Sequence, residues 1–323
     1  MRTYLARRLA QTAVTLLFLA TIQFFLFRLV PGDPMAAYID PSLPLETRAA
    51  MRHQFGLDAS WFQQYVAFLD NFFHGRFGVS FYYREPVSGI IVDRFWNTIL
   101  LMLPAIAVAF MVGTAAGALL AWIRGRRGEM TGVVLGLLLR SMPEFWVGLI
   151  GLMIFSYWLG WTPLGGMRDV GSNVTGLVDK FLSLDFLRHL VLPMLCAAAV
   201  LLATPLLVMR NSMLEVIRDD FIDMAKAKGV STPRLIFRHA VPNAILPVVT
   251  VLSVMMGFAI GGEVLIETIF RWPGMGRELV LAVQRRDFPM AQATFFLMGT
   301  VVILTNFATD LLYGMLDPRV TYE

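Results

Sequence analysis

The sequence is poor in charge. Of its 323 residues only 15% are Asp, Glu, Lys or Arg, while 57% are hydrophobic and the mean hydropathy is +0.65. A soluble domain carries about 25% charged residues. A chain this apolar has too few polar groups to cover a water-facing surface, which excludes a soluble enzyme, a disordered chain and a nucleic-acid binder. One cysteine, Cys196, leaves no internal disulfide. The four histidines lie far apart in sequence, and neither H-E-x-x-H nor a Cys/His ligand spacing occurs, so no metal site is expected. G-x-S-x-G is missing too, and no residue is expected to be catalytic. Lysine is scarcest. Lys180, Lys226 and Lys228 follow Asp179, Ala225 and Ala227, whereas a P-loop places glycine before its lysine. If ATP drives this protein, another chain binds it, and no cofactor is expected here.

What is present is apolar length. A membrane core needs about 20 apolar residues as helix. Six stretches supply them: Leu9–Phe27, Asn97–Ile123, Phe145–Met167, His189–Met209, Ala240–Gly262 and Met290–Thr309. The third helix is expected to begin near Thr131, enclosing Arg140 and Glu144. The first run is longer than a signal-peptide core and lacks a small-x-small cleavage site after it, so it reads as an uncleaved anchor. With the N-terminus inside, the cytoplasmic segments hold 13 basic residues in 54 positions and the outer ones 12 in 121. That bias favours both termini in the cytoplasm. Arg271, Arg277, Arg285 and Arg286 run against it locally.

Gly113-x-x-x-Gly117, Gly132-x-x-x-Gly136 and Gly257-x-x-x-Gly261 offer small faces for close helix packing, expected within the chain. Pro104, Pro143, Pro193, Pro205 and Pro247 lie in or beside spans and are candidate kinks. In the outer segment, Leu45–Phe55 and Trp61–Phe73 have helical apolar spacing and read as short helices on the membrane face. Arg140 and Glu144, four apart, read as a structural pair across Pro143 or as part of a gate. Glu263 and Glu267 sit at the outer end of the fifth span, where charge is tolerated cheaply, as does Asp310 near the inner end of the sixth.

The inner segment 210–238 has too many charges to span. Asp219 or Asp220 caps a short helix, with Asp223 in the first turn, Lys226 and Lys228 in the last, and Gly229 as its stop. Phe221, Met224 and Ala225 are placed on one face. Thr232-Pro233 reads as the cap of a second helix. The first helix either docks in a groove of another protein or rests on lipid.

Asp223-Met224-Ala225, then Gly229 and Pro242, resemble the EAA loop of ABC importer permeases. Ala225-Lys226-Ala227-Lys228-Gly229, His239-Ala240 and Leu246-Pro247 sharpen the likeness to the dipeptide, oligopeptide and nickel group. So do Phe77-Gly78-Val79-Ser80, Ser141-Met142-Pro143-Glu144, Trp272-Pro273-Gly274-Met275-Gly276 and Arg286-Asp287-Phe288-Pro289, while Arg271 departs from the resemblance, standing where a small polar residue is more usual. The long outer segment resembles that of the B-type (first) permease subunit.

The resemblance implies an all-α polytopic membrane protein of six transmembrane helices with a cytoplasmic coupling helix between spans four and five. Its divisions would be 1–30, cytoplasmic N-terminus and first span; 31–96, extracytoplasmic segment; 97–314, five-helix permease core with the coupling loop 210–240; and 315–323, cytoplasmic tail. It implies a multi-pass subunit of the bacterial cytoplasmic membrane that forms half of the path of a binding-protein-dependent peptide importer. The implied partners are a homologous second permease, two ATP-binding subunits carrying ATP and Mg, an extracytoplasmic substrate-binding protein and the bilayer. Asp220, Phe221, Asp223, Met224, Ala225, Lys226, Ala227, Lys228 and Gly229 would couple to the ATPase, while Arg140, Glu144 and Glu263 are candidates for the path or gate. The alternative is a secondary transporter or channel acting alone.

Overall fold

The computed structural model describes residues 2–29, 59–172 and 181–316. The sequence-expected helix at Leu45–Phe55 and the tail from 317 lie outside them. Among the described residues twelve helices follow one another: α1 (Arg2–Leu29), α2 (Trp61–Phe73), α3 (Val87–Trp122), α4 (Arg127–Ser141), α5 (Glu144–Trp158), α6 (Leu184–Val216), α7 (Asp220–Ala227), α8 (Thr232–Ala244), α9 (Leu246–Ile260), α10 (Val264–Ile269), α11 (Met275–Gln284) and α12 (Phe288–Leu316). Among the described residues the only strand-like pairing is an isolated bridge, Val79 to Pro86.

Among the described residues four helices, α1, α3, α6 and α12, are each long and apolar enough to cross a membrane. The pairs α4–α5 and α8–α9 bend by 100° and 52°, and the total reaches six if each pair is one span. Proline chemistry accounts for where the bends fall. The ring of Pro143 drives Met142 out of the helical region, to ψ 133°, so α4 stops and Glu144 begins a new helix. Pro247 in the first turn of α9 lacks the N–H that would continue α8. Pro104, Pro193 and Pro205 instead lie within unbroken helices. Helix α3 starts at Val87, ten positions before the expected boundary at 97, so its first turns belong to the segment read as wholly extramembranous.

The chain forms two compact units, residues 1–98 with 274–323, and residues 99–273. In the first, α1 and α12 run antiparallel: Arg8 pairs with Asp310 at 3.0 Å, Leu19 lies against Gly299, and Gln23 donates to the carbonyl of Gln292. Helix α2 begins with a capping box, Ser60 and Gln63 bonding each other's backbone. It rests on α1 through Phe24 against Tyr65 and Phe68, with the Thr21 and Tyr65 hydroxyls 2.6 Å apart.

In the second unit, glycines let helices touch. A Cβ on Gly113 would lie 2.8 Å from the carbonyl of Leu202, and one on Gly117 would meet the carbonyl of Leu206 still more closely. Both small-residue patterns, at 113–117 and 132–136, therefore serve packing within the chain, as expected.

Candidate functional site

Helix α7 leaves the end of α6 through a turn at Ile217–Asp219. Asp219 occupies the N-cap position with extended backbone, but its side chain makes no cap bond. Asp220 and Asp223 instead favour the positive dipole end by charge alone. Lys226 Nζ reaches back to Asp223 at 2.9 Å. The stop is a Schellman motif: Gly229 takes φ +75°, its N–H donates to Lys226 O at 2.9 Å, and the N–H of Val230 donates to Ala225 O at 3.2 Å.

The buried face of α7 is Ile222 and Ala225, set among Met213, Leu235 and Ala240. Met224 faces outward, which corrects the expected face of Phe221, Met224 and Ala225. The outward side therefore carries Asp220, Asp223, Met224, Lys226, Ala227 and Lys228, a mixed-charge surface with one flexible thioether. Helix α8 begins one residue earlier than read, with Ser231 at the cap and Pro233 at the second helical position.

The footing of this handle was not visible in the sequence. Glu129, on the first turn of α4, accepts Arg210 Nε at 3.1 Å and a second, short bond from Nη2, while its other oxygen accepts the Gly125 N–H at 2.7 Å. Glu129 is buried, and this pair, with two guanidinium N–H groups on one carboxylate oxygen, fixes α6 to α4 near the start of the loop that carries α7.

Of the path candidates, the fold joins two and separates the third. Glu144 opens α5 and Glu263 caps α10, and the two carboxyls share a hydrogen bond. Arg140 is exposed on the last turn of α4 and forms no ion pair with Glu144, because the break at Pro143 removes the helical register that would align them. Glu263 lies beyond the apolar stretch Leu246–Gly257. Burial first, then the bond to Glu144 and repulsion from Glu144 and Glu267, pushes its carboxyl up to about 8. Glu267 is fully buried, so it lacks the contact with water that makes charge cheap at an interface.

A second polar centre appears in the first unit. Asp287, 1% exposed, accepts the Ser80 hydroxyl and the N–H groups of Phe81, Tyr82 and Met290. Glu278, 3% exposed, accepts Tyr83 Oη at 3.0 Å and Arg94 Nε at 2.9 Å. In the second unit Asp169, Asp185 and His189 converge, with potential ligand atoms within 4.8 Å of one another. The Asp169 N–H donates to Asp185 at 3.2 Å, and His189 Nδ1 lies 2.8 Å from the Asp185 carbonyl, so the group ties the preceding loop to the first turn of α6. The histidine spacings in the sequence gave no sign of it.

The chain matches two families along its length. Residues 1–102 match the N-terminal part of binding-protein-dependent transport system membrane components, and residues 113–322 match the binding-protein-dependent transport system inner membrane component. It is 39% identical to the di/tripeptide transport system permease protein DppB of Pseudomonas aeruginosa (strain UCBPP-PA14), over 100% of both chains. It is 36% identical to the dipeptide transport system permease protein DppB of Escherichia coli (strain K12), over 99% of both. It is 34% identical to the oligopeptide transport system permease protein AppB of Bacillus subtilis (strain 168), over 100% of both.

Proposed function

This chain belongs to the binding-protein-dependent transport system inner membrane components, and from that premise we propose that it forms half of the translocation path of an ATP-driven importer of dipeptides or oligopeptides. The permease role follows from the family and from full-length relatives named as peptide permeases. In this reading each bent pair is one span, giving six, and both termini face the cytoplasm. The basic-residue bias supports that orientation, and so does the antiparallel α1–α12 pair, which sets Arg8 and Asp310 at one end.

The observation that carries the mechanism is α7: apolar on its buried side, mixed in charge on its free side, and stopped by Gly229. We assign it as the helix that seats in a cleft of a separate ATPase. ATP and Mg bind there, because this chain has no P-loop lysine. Closure of two ATPases on ATP moves α7, and the α6 and α8 ends that hold it move the bundle. The coupling free energy is the difference in ATP affinity between inward- and outward-open arrangements. A homologous second permease supplies the other half of the path, and an extracytoplasmic binding protein selects the solute. Glu144 and Glu263 are our candidates for polar groups along the path. Arg140 is a weaker one, being exposed and apart from them.

The test is protection of α7. In a Cys196→Ala background, Met224→Cys is labelled with a membrane-impermeant maleimide in purified permease and in the complex assembled with its cognate ATPases. We expect the ATPases to co-purify and labelling to fall several-fold on assembly. Equal labelling in both states would remove α7 as the contact.

A further inference from the structure

A groove of about 670 Å³ lies between α3, α8 and α9, walled by residues such as Phe110, Trp122, Met209, Phe237, Val248 and Leu252. Thr114 is the one hydroxyl-bearing residue along it. Along α3 the wall runs from Phe110 to Trp122, which at 1.5 Å per residue is about 18 Å. Half of a hydrocarbon core is about 15 Å. The groove therefore has the depth of one leaflet, and Trp122 sits at the end of α3, the position an interfacial aromatic takes.

Arginines stand next in the chain to the lining residues of that end. Arg124, Arg126 and Arg127 follow Trp122, and Arg234 and Arg238 flank Ile236 and Phe237; all five are exposed. The carboxylate nearest in sequence, Glu129, is engaged by Arg210. Among the described residues Arg126, Arg127, Arg234 and Arg238 make no ion pair. Phe237 is 74% exposed beside them, an apolar ring between two cations.

We propose that this groove binds an anionic phospholipid of the cytoplasmic leaflet, its acyl chain along α3 and its phosphate on the arginines. Planar guanidinium groups take phosphate oxygens bidentately. A basic pocket between helices on the cytoplasmic side is suited to an anionic headgroup. The transported peptide does not fit here, since its charged ends would lie against walls that offer almost no hydrogen-bond partner. The proposal rests on the six-span, N-terminus-in reading, which sets the arginines in the inner leaflet.

The experiment uses the full transporter in nanodiscs of phosphatidylcholine containing a fixed fraction of acyl-brominated phosphatidylglycerol or, separately, acyl-brominated phosphatidylcholine. The signal is the part of tryptophan quenching that disappears in Trp122→Phe. We expect the anionic lipid to quench Trp122 several-fold more than the zwitterionic one. Arg126→Gln/Arg127→Gln/Arg234→Gln/Arg238→Gln should abolish the difference, and the four matching lysine substitutions should keep most of it. Equal quenching by the two lipids overturns the proposal, as does a preference that survives loss of the arginines. Quenching in isolated permease but not in the complex overturns it too, and assigns the groove to a partner helix. Co-purified ATPase and peptide uptake are followed in the same preparations, so failure of the transporter reading shows there and not in the lipid signal.

Discussion

Ser80 donates its hydroxyl to the buried carboxylate of Asp287, 207 positions away in the chain. The same carboxylate takes the N–H groups of Phe81 and Tyr82, so one aspartate holds a whole turn, and Arg285 stacks over the Tyr82 ring at 3.7 Å. Both residues lie in short motifs that looked independent in the sequence, Phe77-Gly78-Val79-Ser80 and Arg286-Asp287-Phe288-Pro289. They are the two halves of one buried joint.

Asp287→Ala should therefore be far more harmful than an aspartate at a helix end suggests. It leaves two buried donors, the Ser80 hydroxyl and the Met290 N–H, without this acceptor, each costing about 1–3 kcal/mol, and frees two part-buried N–H groups besides. The expected outcome is a large loss of folded protein in the membrane. Asp287→Asn keeps the shape and one acceptor oxygen and should lose less. Thermal unfolding of detergent-purified wild type and both variants checks the order; equal midpoints would show that the joint adds nothing to stability.

Gly229 and Gly117 should fail for different reasons. At Gly229 a Cβ meets no atom within 4 Å, but φ is +75°. The left-handed conformation costs a non-glycine residue about 1–2 kcal/mol, and a β-branched one more. Gly229→Val should assemble in the membrane at near-normal levels yet lose most ATP-driven uptake, because the Schellman stop of α7 is what it damages. Uptake per assembled transporter is the measurement, and an unimpaired Gly229→Val would sink the coupling role of α7.

At Gly117 the backbone is ordinary helix and the space is full. The added methyl would run into the carbonyl of Leu206 and lie 2.9 Å from Met209 Cβ. Backbone cannot yield as a side chain can, so overpacking of about 1–3 kcal/mol outweighs the helix propensity alanine gains. Gly117→Ala should lower the unfolding midpoint and the membrane yield, with uptake falling in proportion to yield. A normal midpoint would mean that α3 and α6 do not approach as closely as they do here.

These cases show which features are legible from sequence. Helix α2 and the stop of α7 were readable because their causes are local: apolar spacing from Trp61 to Phe73, and a glycine after two lysines. The tie of Ser80 to Asp287, the Glu129–Arg210 footing and the Glu144–Glu263 contact were not, because each joins residues that only the fold brings together. The expected Arg140–Glu144 pair failed instructively. Spacing of four aligns side chains only on a continuous helix, and Pro143 ends that helix and turns the chain by 100°. On α7 the apolar stripe was misplaced by its anchor, Ile222, which takes the buried place given to Met224.

Glu263 gives a prediction with a definite sign. Its carboxyl has an ordinary value of 4.5 and is held near 8 by burial, by its bond to Glu144 and by repulsion from Glu144 and Glu267. Between those two values the unfolded chain has released the proton and the folded chain retains it. The folded state binds more protons there, so stability falls as pH rises from about 4.5 towards about 8. Glu263→Gln keeps a hydrogen-bonding side chain facing Glu144 without a charge to ionise. The variant should therefore match wild type near pH 5, where the Glu263 carboxyl is still protonated, and exceed it in unfolding midpoint above about pH 8. Midpoints measured on purified protein across that range decide it. Parallel curves for the two proteins would place the shared proton elsewhere and leave Glu144 and Glu263 as neighbours without coupled charge.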